Sequence, residues 1–166
     1  DDRIFGSLDW AMQARRHDAM LFKYRSKEWS ADLGLAYNQN AESNKFVQYT
    51  NPSYKCMQHL WVTHKKNNYN LSALFLNTGY TSSRMNTTTN KLDTFVAHMQ
   101  TMGLRGEVKS GKLSFNGFAY YQYGKTQLNK DIGAYDLNLE LRYKPLDIID
   151  MSLGSEWISG TSQVDT

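Results

Sequence analysis

Asp136 and Glu140 stand four residues apart in a stretch of alternating polarity, and two carboxylates on one face of a strand can serve as a general acid and base. That chemistry also needs a site for the sugar between them, and nothing in the surrounding sequence supplies one. Charge lining a water-filled passage accounts for the pair better. His59 and His64 are separated by an odd number of positions, so on one strand they point to opposite faces and cannot share a metal ion. His17 and His98 have no carboxylate or cysteine at ligand spacing. Cys56 is the only cysteine, which excludes an internal disulfide. The glycines are scattered and form no phosphate-cradling loop, and the Asn70-Leu71-Ser72 sequon falls within a predicted strand. The expectation is a protein that is not an enzyme, with no metal site and no cofactor.

The element that positions Asp136 and Glu140 runs from Ala134 to Lys144. Tyr135, Leu137, Leu139, Leu141 and Tyr143 alternate with Asp136, Asn138, Glu140, Arg142 and Lys144. Successive side chains on a strand point to opposite faces, so one face is wholly apolar and the other wholly polar. Tyrosine at each end with leucine between is the profile of a strand that crosses lipid, with rings at the two interfaces and aliphatic groups in the hydrocarbon. A half-buried strand of a soluble sandwich has the same alternation, so the rest of the chain must discriminate.

Only 40% of the 166 residues are hydrophobic and the mean hydropathy is −0.63, yet 13% are aromatic. A disordered chain would not carry so many rings. No apolar run is long enough for a membrane helix. A transmembrane barrel satisfies both facts, because its polar lumen face dilutes the apolar lipid face. The net charge of +3 is dispersed, which argues against nucleic acid as a partner.

The alternation predicts eight strands over residues 18–158. The first spans Asp18 to Arg25, and the second sets Trp29, Ala31, Leu33, Leu35 and Tyr37 against Ser30, Asp32, Gly34 and Asn38. The third (55–64) and fourth (69–78) have no assignable register, because Leu60 and Val62 compete with Met57 and Trp61 for the outer face. The fifth covers about 94–109 and turns tightly at Ser110-Gly111. The sixth sets Leu113, Phe115, Ala119, Tyr121 and Tyr123 against Lys112, Ser114, Asn116 and Gln122. The seventh is the Ala134–Lys144 stretch. After a short turn at Pro145 and Asp147, the eighth sets Ile149, Met151, Leu153 and Trp157 against Asp150, Ser152, Gly154 and Glu156. If that turn brings Tyr143 opposite Ile149, Arg142 lies opposite Asp150.

The connections are expected to alternate short and long, with long polar loops over 39–54, 81–90 and 124–133. Up-and-down membrane barrels have short periplasmic turns and longer extracellular loops, whereas Greek-key sandwiches have no reason to show this rhythm. The predicted fold is therefore an all-β, antiparallel up-and-down transmembrane barrel in the outer membrane of a Gram-negative bacterium. Residues 1–17 are expected as an extracellular entrance loop and 159–166 as the start of a further loop. With both ends on the extracellular side, the chain is expected to be an internal portion of a larger barrel, whose first and eighth strands do not pair with each other. The alternative is a small closed barrel acting as a structural or ligand-binding protein.

The inferred lumen carries Lys23, Arg25, Arg105, Lys109, Lys112, Arg142 and Lys144 against Asp32, Glu107, Asp136, Glu140, Asp150 and Glu156. Such a surface is balanced rather than basic.

The first segment, Asp2-Arg3-Ile4-Phe5-Gly6-Ser7-Leu8-Asp9-Trp10 followed by Arg16-His17-Asp18-Ala19, resembles the alginate-export family of outer-membrane β-barrels. The positions that match the family elements are Arg3, Asp9, Trp10, Arg16 and Asp18; the upstream G-R-Q element of the family has no counterpart here. The resemblance implies a monomeric barrel of more than eight strands that passes an acidic polysaccharide through a charged lumen. Its expected partners are outer-membrane lipid and a polar or anionic carbohydrate cargo.

Overall fold

The computed structural model describes residues 19–38, 43–44, 47–48, 54–88 and 90–160. Eight strands form one antiparallel sheet: β1 (Ala19–Arg25), β2 (Trp29–Tyr37), β3 (Cys56–Lys66), β4 (Tyr69–Asn86), β5 (Lys91–Ser110), β6 (Leu113–Lys125), β7 (Asp131–Leu146) and β8 (Ile149–Ile158). Each pairs only with its neighbours in sequence, in up-and-down order. A separate two-residue ladder joins 43–44 to 47–48. β1 and β8 do not pair with each other, so the sheet is open and both edge strands present unbonded backbone groups.

Register explains why the alternating pattern persists from strand to strand. Phe22, Leu33, Leu60, Phe75, Met102, Tyr121 and Tyr135 stand side by side across β1 to β7. One row further, Tyr24, Ala31, Val62, Ala73, Leu104, Ala119, Leu137 and Trp157 cross all eight strands. Because the side-chain period is two, a slip of one residue in β7 would put Asp136 or Asn138 and their polar neighbours into these rows.

The two faces differ in exposure as well as in polarity. Along β7, Leu137, Leu139 and Leu141 are exposed while Asp136, Asn138 and Glu140 are half-buried, and β2 and β6 show the same alternation. Side chains crowd on the concave side of a curved sheet and diverge on the convex side, so the polar face is the enclosed one. No second layer covers the apolar face among the described residues, and Leu139 and Leu141 remain 45% and 46% exposed.

The buried residues lie on the enclosed face, toward the connection between β2 and β3. Ala36, Met57, Leu74 and Leu76 pack together with Tyr54, and Trp61, Tyr80 and Tyr120 flank them. Tyr54 is fixed by its carbonyl, which accepts from the Asn38 side chain at 2.9 Å.

Several expectations need correction. The β3 and β4 faces, undecidable from their sequences, are set by pairing: Leu60 and Val62 share rows with Leu33 and Ala31 on the exposed face, and Met57 and Trp61 turn inward. The expected polar loop over 81–90 is largely strand. β4 continues to Asn86 and β5 begins at Lys91, because each has the other to bond, as in Arg84 opposite Asp93. The loop expected at 124–133 narrows likewise, since Lys125 pairs with Asp131. β7 runs through Pro145 to Leu146, and the ladder to β8 is irregular between Ile149 and Met151. Proline has no N–H to give a ladder, and this irregularity accommodates it. Tyr143 therefore faces Met151 rather than Ile149, and Arg142 faces Ser152 rather than Asp150.

Candidate functional site

The enclosed face between the apolar cluster and the short turns gathers the charged side chains. One row holds Lys23, Asp32, Trp61, Leu74, Gly103, Tyr120, Asp136 and Ile158. The next holds Arg25, Ser30, Thr63, Ser72, Arg105, Phe118, Asn138 and Glu156. A third holds Lys65, Asn70, Glu107, Asn116, Glu140 and Gly154. Of the thirteen charged residues expected along a lumen, eight stand in these rows, and Lys109 and Arg142 share the next row of this face, each opposite Ser114. Asp150 sits at the ladder irregularity and still reaches Arg142, with its Oδ1 3.7 Å from Nε. The family-motif residues Arg3, Asp9, Trp10, Arg16 and Asp18 lie outside the described residues.

The charges are arranged as local pairs. Arg25 donates to Asp32 across the β1–β2 hairpin at 2.6 Å. Lys109 meets Glu107 at 2.8 Å and Arg142 meets Glu140 at 3.1 Å, each two residues along one strand and so on the same face. Trp61 Nε1 donates to Thr63 Oγ1 at 2.9 Å, and that hydroxyl lies 3.0 Å from Ser72 Oγ.

Phe118 and Tyr120, absent from the expected lining, both point to the enclosed face, with ring centroids 5.3 Å apart. The sequence carried one signal for them: they occupy the polar parity of β6, between Asn116 and Gln122. Tyr120 lies over Gly103, where a Cβ would fall 2.1 Å from its Cδ1, so the glycine creates the space for the ring.

Two adjoining cavities open on this face. One, of about 290 Å³, is lined by Arg105, Glu107, Asn116, Phe118, Tyr120, Asn138 and Glu140. The other, of about 250 Å³, is lined by Trp61, Thr63, Asn70, Ser72, Arg105 and Glu107. Asn70 Oδ1 and Asp136 Oδ1 are buried and accept no hydrogen bond from the described residues. A larger depression of about 630 Å³ follows the small residues Ala73, Gly106, Gly117 and Ala119 on the apolar face. Its surface is almost wholly apolar, with too few polar groups to orient a reactant.

His59 and His64 point to opposite faces, His64 stacking on Trp29 at 4.3 Å on the exposed side. Among the described residues no three His, Cys, Asp or Glu side chains are grouped as metal ligands. The arrangement suits reversible contact with a polar molecule, since the cavity carboxylates Glu107 and Glu140 are held by Lys109 and Arg142 and its aromatic rings border open space. Comparison with family models, curated proteins and solved structures gives no match.

Proposed function

We propose that this chain forms part of the wall of an outer-membrane pore, in which polar solutes, an acidic polysaccharide among them, pass along the charged enclosed face. The observation that carries the reading is the pair of unbroken apolar rows on the exposed face of a single-layer sheet. A soluble protein rarely leaves so large a contiguous apolar surface uncovered, whereas hydrocarbon requires one. Dimensions agree. From Tyr135 to Tyr143 the apolar set rises about 27 Å along the strand, or about 20 Å across a bilayer at a tilt near 40°, close to the apolar band of such barrels. Rings stand at both ends of that span.

The open edges bear on the assembly. Lipid offers no partners for backbone N–H and C=O groups, so in a membrane the free edges of β1 and β8 must be continued by further strands. A small closed barrel would need a β1–β8 ladder, and the sheet has none. An eight-strand ring would also force Arg105, Glu140 and Arg142 into an interior filled by side chains, while a wider barrel leaves them facing water. The acidic-polysaccharide cargo derives from the family resemblance of the first segment.

The test is extraction followed by reconstitution. The protein is expected to need detergent for solubility and, with the strands that continue its two edges, to conduct ions in a planar lipid bilayer. A monodisperse, folded protein in detergent-free buffer would overturn the reading.

A further inference from the structure

We propose that the enclosed face carries a binding site for a neutral, hydroxyl-rich disaccharide, one ring in each of the two cavities that adjoin at Arg105 and Glu107. The proposal deepens the pore reading and rests on it in one respect: the enclosed face must be open to water.

Size comes first. The cavities measure about 290 and 250 Å³. At about 30 Å³ per water, each has room for roughly eight to ten waters, close to the dozen heavy atoms of a hexose. They share Arg105 and Glu107 as a common wall, so two linked rings, rather than two separate molecules, match their spacing.

Each compartment combines an aromatic surface with polar groups. Phe118 and Tyr120 border the first beside Asn116 and Asn138, and Trp61 borders the second beside Thr63 and Asn70. A pyranose has the matching anatomy, with a C–H face that packs on a ring and hydroxyls around its edge.

The hydrogen-bond balance then selects the ligand class. Asn70 Oδ1, on the wall of the second cavity, is a buried acceptor that receives nothing from the described residues. Buried acceptors are costly unless a donor arrives, so the fitting ligand brings O–H groups. Charge points the same way. The charged side chains that line the two cavities are Glu107 and Glu140 against Arg105 alone, and the nearby cations Lys109 and Arg142 are engaged by those carboxylates. A uronate disaccharide would set its carboxylates against two acidic wall side chains, with one wall cation, Arg105, to hold them.

The experiment uses the full chain in detergent micelles and two probes, cellobiose and digalacturonic acid, with binding followed by tryptophan fluorescence and saturation-transfer NMR. Cellobiose is expected to bind at least about tenfold more tightly than digalacturonic acid, a difference of 1.4 kcal/mol or more. The fluorescence change should vanish in Trp61→Phe, and Asn70→Leu, which removes the acceptor on the wall of the second cavity, should weaken cellobiose about threefold or more. Equal or tighter binding of digalacturonic acid, or no cellobiose binding by the wild-type chain, overturns the proposal. The wild-type comparison decides even where a variant fails to fold. Conductance in a bilayer without cellobiose binding would sink this inference and leave the pore standing. Cellobiose binding by a chain that is monodisperse without detergent would sink the pore instead.

Discussion

Replacing Leu139 with lysine separates a lipid-facing sheet from a water-facing one. Leu139 sits in mid-strand on the exposed face, between Gly117 and Ser155 in register, and is 45% exposed. In water, a fully buried leucine is worth about 1.5–3 kcal/mol, so a side chain already about half exposed has roughly 1 kcal/mol to lose, and the lysine stem recovers part of that. At the midplane of a bilayer the same change costs about 2–4 kcal/mol, because the ammonium group must be desolvated or carried to an interface. Asn138→Lys is the internal control. Its side chain is on the enclosed face beside the cavity shared with Glu140, where a lysine meets water and carboxylates, and a cost within about 0.5 kcal/mol is expected. The assay is urea-driven unfolding and refolding in lipid vesicles, followed by tryptophan fluorescence. Equal costs for the two variants, or a Leu139→Lys cost near 1 kcal/mol in vesicles, would refute the assignment of the apolar face to lipid.

Two further predictions concern stability. Gly103→Ala would place a Cβ 2.1 Å from Tyr120 Cδ1 and 2.6 Å from the Ala119 carbonyl oxygen, and overpacking of this kind costs about 1–3 kcal/mol by denaturant unfolding; a neutral result would show that Tyr120 does not lie over β5. Asp32→Asn removes the 2.6 Å pair with Arg25, whose side chains are 50% and 28% exposed, so after allowance for screening it should cost less than about 1 kcal/mol and less still at high salt. A large, salt-independent loss would mean that the pair is far more enclosed than the sheet indicates.

How much of this was legible in the sequence varies strand by strand. β2 and β7 announced both faces, because each keeps one parity apolar and the other polar or small over nine or more residues. β3 and β4 did not. Met57, Trp61, Leu74 and Leu76 form a second apolar set at the opposite parity to Leu60, Val62 and Phe75, and a strand with two apolar faces carries no local information about which one is inside. Only pairing with Leu33 and Met102 on either side decides it. The same limit hid Phe118 and Tyr120, since a large ring on the enclosed side needs a partner that makes room, and that partner, Gly103, lies on another strand. Composition misled over 81–90, where serine, threonine and asparagine read as loop, although Thr81 to Asn86 join the ladder because Lys91 to Val96 stand opposite to bond them. The turn at Pro145 misled by two positions, because the irregularity that absorbs a missing N–H is a property of the pair of strands. Periodicity within one strand thus determined its two faces, and the hydrogen-bonded neighbours determined which face is enclosed and which residues meet there, since register is a relation between chains of backbone that no single stretch encodes.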